Sequence, residues 1–102
     1  MGVNVEVLTS NGELIAQFLD EDEAFAAALS LCVRPEFPTL SRIDLFGDST
    51  CGKDAVSQMV RELEVLELQN MPPDVTGAVH YVLECVHVAL AREGSTVKFI
   101  GD

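Results

Sequence analysis

The chain has 102 residues, 48% of them hydrophobic and 23% charged, which suits one packed domain over 1–102 and is too apolar for a disordered chain. Six Lys and Arg stand against 17 Asp and Glu, a formal net charge of −11. That field repels nucleic acid and anionic lipid surfaces, excludes them as expected partners, and favours a basic protein while also serving solubility.

Val3, Val5 and Val7 alternate with Asn4 and Glu6, the period of a strand with one buried face. Asn11-Gly12 then predicts a type I′ hairpin, since both residues tolerate positive φ, and Glu13 to Leu19 should return as the second strand. Asp20 to Glu23 places four acids at the start of a helix, with Asp20 as the expected N-cap. Phe25, Ala28, Leu29 and Cys32 follow as its apolar stripe, and Pro35 and Pro38 end it.

Ile43 and Leu45 alternate with Arg42 and Asp44, so Leu40 to Phe46 reads as a third strand closed by Gly47-Asp48-Ser49. From Lys53 to Gln69 the spacing of Val56, Met59, Val60, Leu63 and Leu66 predicts an amphipathic helix, with Glu62 and Glu64 on its polar side and Val65 and Leu68 off the stripe. Met71-Pro72-Pro73 breaks the chain, and Asp74 is a candidate cap for a third helix over 75–92. The polar arc of that helix holds little beyond Thr76, His80, Glu84 and His87, so it is expected to be a central helix or a homodimer interface. Gly94 stops it and Thr96 to Ile100 forms the last strand. The order ββαβααβ predicts an α+β fold, a mixed or antiparallel sheet with helices packed on one face.

Few residues invite chemistry. His80, Glu84 and His87 share a helical face, but i, i+7 sets the imidazoles about 10 Å apart along the axis, poor for one metal ion, and a carboxylate pairing with histidine is the plainer reading. Asp44, Gly47 and Asp48 make a D-x-x-G-D turn that could offer hard oxygens to Mg²⁺ or Ca²⁺, or simply close an Asx turn. Cys32, Cys51 and Cys85 lack C-x-x-C spacing, which points to reduced thiols and, with no basic and apolar leader at the N-terminus, to a cytoplasmic protein. Cys51 is the most accessible of the three by position, but neighbouring acids would raise its pKa, so no catalytic residue is assigned. Gly47 and Gly52 form neither a dinucleotide nor a Walker motif, and no cofactor is expected.

The run Leu40-Ser41-Arg42-Ile43-Asp44-Leu45-Phe46-Gly47-Asp48 and the ending Phe99-Ile100-Gly101-Asp102 resemble a group of uncharacterised small bacterial proteins that share an I/L-D-x-x-G-D element and a C-terminal F-I-G-D. The resemblance covers about half the chain and implies no activity. Ser49-Thr50-Cys51-Gly52 stands here where those proteins carry an aromatic and polar run.

Two functions remain as expectations. The first is a non-enzymatic protein-binding module, of the inhibitor or immunity type, meeting a basic partner through Glu62, Glu64, Val65, Glu67 and Leu68. The second is a small metal-dependent enzyme or ligand-binding protein using Asp44, Asp48 and Glu84.

Overall fold

Residues 2–32 and 35–101 are described by a computed structural model. The elements run β1 (Asn4–Leu8), β2 (Leu14–Phe18), α1 (Ala24–Leu29), a 3-10 turn (Leu40–Arg42), β3 (Asp48–Cys51), α2 (Lys53–Glu67), α3 (Pro73–Ala91) and β4 (Thr96–Ile100). The strands form one sheet in the order β2-β1-β4-β3 with every neighbouring pair antiparallel. The fold is α+β.

Alternation in β1 and β4 sends Val5, Val7, Val97 and Phe99 to one face, where all four are fully buried. The helices cover that face. α3 packs on β1 and β2 between α1 and α2, while α2 reaches β3 and β4. Phe25 links the layers, stacked on Phe99 at 6.3 Å and edge-on to Phe18 at 6.2 Å between ring centroids. The other face, carrying Asn4, Glu6, Thr96, Lys98 and Ile100, is half-buried and uncovered by helix.

The β1–β2 hairpin forms where Asn11-Gly12 predicts one, but not with the expected turn. Gly12 takes φ +84°, whereas Asn11 is not in the positive-φ region, so a type I′ turn is ruled out. The Gly12 N–H donates to the Thr9 carbonyl at 2.9 Å and the Thr9 N–H to the Glu13 carbonyl at 2.8 Å, a three-residue loop with glycine in the left-handed position. The Thr9 hydroxyl oxygen also accepts the N–H groups of Asn11 and Glu13.

α1 begins at Ala24, four residues after the expected cap. Asp20 nonetheless serves its first turn: Oδ1 accepts the Phe25 N–H and Oδ2 the Ala26 N–H, both at 2.9 Å, while Oδ2 also accepts the Val3 N–H at 3.0 Å. One buried carboxylate thus ties the start of the chain to a helix end. The chain between turns back through Glu23, the one non-glycine residue with positive φ (60°) among those described. Phe25, Ala28, Leu29 and Cys32 are all buried, Cys32 from a tighter turn beyond the helix.

The expected third strand over Leu40 to Phe46 is wrong. Leu40 and Ile43 are both buried, and their i, i+3 spacing is satisfied by a 3-10 turn rather than a strand. β3 instead covers Asp48–Cys51, residues expected to terminate a strand, because pairing with β4 orders a polar edge segment that has no apolar alternation of its own.

α2 places Val56, Met59, Val60, Leu63 and Leu66 in the core as its spacing predicts. α3 starts at Pro73, with Pro72 as N-cap and Asp74 inside the first turn rather than capping it. Proline suits that position because its missing N–H would be unpaired there anyway. Val75, Ala78, Val79, Val82, Leu83, Cys85, Val86 and Ala89 are buried within the chain itself. α3 is therefore the core helix of the chain, while Tyr81, Val88 and Leu90 stay exposed on it. No helix among the described residues is long and apolar enough to cross a membrane.

Candidate protein-binding surface

The five residues expected to form one acidic face on α2 do not stay together. Glu62 is only 2% exposed and points inward: Oε1 accepts the Leu40 N–H at 2.9 Å and the Thr39 N–H at 3.0 Å, capping the 3-10 turn. At about 100° per residue, Glu62 and Glu64 lie roughly 200° apart, so one can be buried while the other is solvated. Glu64, Val65 and Leu68 are exposed, Leu68 at 86%, while Glu67 is half-buried and engaged by His80.

His80 bridges two helices. Its Nδ1 lies 2.8 Å from Glu67 Oε1 on α2, and its Nε2 lies 3.0 Å from Glu84 Oε1 one turn along α3. The Glu67 hydrogen bond and charge, with a smaller effect of Glu84, raise the imidazole pKa above its ordinary value. The expected pairing of carboxylate and histidine is present, with a second carboxylate from α2 that spacing along α3 could not reveal. No three His, Cys, Asp or Glu among the described residues are placed to hold a metal ion.

The Asp44–Asp48 turn is built from its own backbone. Asp44 Oδ1 accepts the Phe46 N–H at 2.9 Å, an Asx turn, and the Asp44 N–H donates to Ser49 Oγ at 3.1 Å. The Gly101 N–H donates to the Gly47 carbonyl at 2.8 Å, and Asp48 pairs loosely with Lys98 at 3.8 Å. The two motifs that carry the family resemblance therefore meet in space along β3 and β4. Asp102, the last residue of the second motif, lies outside the described residues. Phe46, at the tip of the turn, is 72% exposed.

The cysteines offer no activated nucleophile. Cys32 is buried, burial raises the Cys51 thiol pKa, and burial with the Glu84 charge raises that of Cys85.

A stronger surface lies where β2 runs into α1. Two concavities meet there, sharing Leu19, Asp20 and Glu21. One, of about 470 Å³, opens over Asn4, Glu23, Ile100 and Gly101 at the end of the sheet. The other, of about 310 Å³, runs between the end of β2 and the first half of α3, with Phe18 and Tyr81 beside Asp22, Asp74 and Gly77. Tyr81 is 62% exposed while stacked on Phe18 at 6.2 Å, and Leu19 is half exposed.

Among the described residues, no lysine or arginine lines either concavity. Asp20 is committed to backbone N–H groups, but Glu21, Asp22 and Asp74 are exposed at the rim. Lys53 and Arg92 lie together at the opposite end of the molecule, where α2 begins and α3 ends. Glu93 lies with them, 3.6 Å from Lys53, so those two bases do not face the cleft acids. Sequence alone explains Asp20 to Glu23 as a helix cap and treats Tyr81 as part of an apolar arc, so neither signals the cleft. Family models, curated proteins and solved structures all return no match to this chain.

Proposed function

We propose that this protein is a non-enzymatic binding module for a basic protein, acting by occupancy as inhibitors and immunity-type proteins do. The observation that carries the reading is the double cleft around Leu19 and Glu21, where exposed aromatic and aliphatic surface is framed by Glu21, Asp22 and Asp74 with no lysine or arginine among the described residues that line it. Exposed aromatic surface supplies contact area, and surrounding like charge selects a partner of opposite sign and speeds its approach. The net charge of −11 extends that attraction beyond the cleft, over a screening length of about 8 Å at physiological salt. Glu64, Val65 and Leu68 on α2 form a second, smaller exposed patch.

The test compares capture of basic proteins by the native chain and by Glu21→Lys/Asp22→Lys/Asp74→Lys, at low and high salt. The native chain should capture basic proteins at low salt and release them as screening rises, and the charge-reversed chain should capture none. Equal capture by both would reject the cleft as the binding surface. Capture that ignores salt would reject the electrostatic basis of the reading.

A further inference from the structure

The smaller cleft carries a more specific assignment, which rests on the basic-partner reading. Gly77 sits in the first half of the 19-residue helix α3, where glycine costs about 0.5–1 kcal/mol relative to alanine. Nothing local calls for it. Its φ is not positive, and a Cβ built on it would meet no atom within 4 Å. The fold would accept a side chain at this position, and the effect of its absence is to keep the cleft open beside Tyr81.

What the open space would admit follows from its walls. Phe18 and Tyr81 stack with an interplanar angle of 28°, so Phe18 supports one side of the tyrosine ring and leaves the rest of this 62%-exposed residue available. Glu21, Asp22 and Asp74 line the same cleft as that aromatic pair. A planar cation that can stack on a ring and direct several N–H donors to carboxylates matches both features. A lysine ammonium matches the charge but brings neither the planar stacking nor the fork of donors. We propose that this cleft is the anchor site for an arginine side chain of the basic partner, and that Gly77 is the residue that keeps it open.

The test uses capped hexa-arginine, hexa-lysine and hexa-citrulline peptides with the full-length chain, measured by calorimetry at low salt. Hexa-arginine should bind at least tenfold more tightly than hexa-lysine, and hexa-citrulline should not bind. Gly77→Leu, which fills the cleft, should weaken hexa-arginine at least tenfold while the melting temperature stays level or rises. Tyr81→Leu should cost a similar factor, whereas Glu13→Gln, exposed in the hairpin loop and outside both concavities, should leave binding unchanged.

If Gly77→Leu folds and binds hexa-arginine as the native chain does, the assignment is overturned. Equal affinity for hexa-lysine and hexa-arginine also overturns it, while leaving the basic-partner reading standing. Failure of both cationic peptides to bind better than hexa-citrulline removes the anchor and the broader reading together. Should Gly77→Leu lose stability, Gly77→Met, a flexible and helix-compatible side chain that still occupies the cleft, supplies the same comparison, and unchanged hexa-arginine binding by that folded variant overturns the assignment.

Discussion

The Glu62 carboxylate accepts the Leu40 amide at 2.9 Å across 22 residues of sequence, and this bond fixes the 3-10 turn against α2. Glu62→Ala would leave buried N–H groups of the turn unpaired. The expected loss is about 3 kcal/mol, the scale for removing a charged hydrogen-bond partner from a buried site. Glu64→Ala, on a solvated face, should change stability by less than about 0.5 kcal/mol. Urea denaturation of both variants measures the contrast, and equal effects would refute the structural role given to Glu62.

Two glycines should respond to alanine with opposite signs. Gly12 holds φ +84° in the hairpin, so Gly12→Ala should destabilise by about 1 kcal/mol. Gly77, in ordinary helical conformation with open space around it, should gain about 0.5–1 kcal/mol from the same change. Thermal melts of the two variants on either side of the native chain would bear this out.

The junction of the Asp44–Asp48 turn with β4 leaves no room for a methyl group. A Cβ on Gly101 would stand 2.4 Å from the Leu45 carbonyl oxygen, and one on Gly47 would stand 2.6 Å from Asp44 Oδ2. The first obstacle is backbone and the second a side chain held by the Phe46 amide. Gly101→Ala should therefore be the costlier change, at about 2–3 kcal/mol, and Gly47→Ala should cost about 1–2 kcal/mol through loss of the Asx turn. Hydrogen exchange at the Phe46 and Gly101 amides should speed up in the respective variants, and protection retained in both would contradict the tight junction.

His80 supplies a pH-dependent tie between α2 and α3. Its pKa is raised in the folded chain, so its stabilising contribution is fully present below the ordinary imidazole value of 6.5 and fades as pH climbs through the raised value. An NMR titration should place His80 above 6.5 and should move it down in Glu67→Gln, whose side chain keeps the shape but not the charge. A His80 titration unaffected by that substitution would show that the Glu67 contact does not set its proton affinity.

The helices α2 and α3, the hairpin and β4 were legible because each rests on a local period: Val56, Met59, Val60, Leu63 and Leu66 mark a helix face wherever that helix docks. The failures came from segments whose state is decided by a partner. Leu40, Ile43 and Leu45 fit two periods at once, and the buried Glu62 settled the choice in favour of a turn. Asp48–Cys51 has no apolar alternation and became a strand because β4 offered an edge to pair with. Glu62 itself looked like a surface acid because periodicity reports where a residue points on its own helix, not what a distant loop requires of it.

The cleft was hidden for the same reason. Leu19, Glu21, Gly77 and Tyr81 come from two stretches of chain more than 50 residues apart, and each has an unremarked local role until β2 is laid beside α3. By itself the sequence determined an acidic α+β chain, its opening hairpin, its last strand, and the buried faces of its longer helices, since charge and short-range period are properties of the chain. Only the tertiary structure decided which acids were consumed by unpaired backbone N–H groups and which were left facing solvent. Asp20 and Glu62 were drawn inside, while Glu21, Asp22 and Asp74 remained beside Tyr81, because burying a carboxylate is favourable only where folding brings enough donors to it.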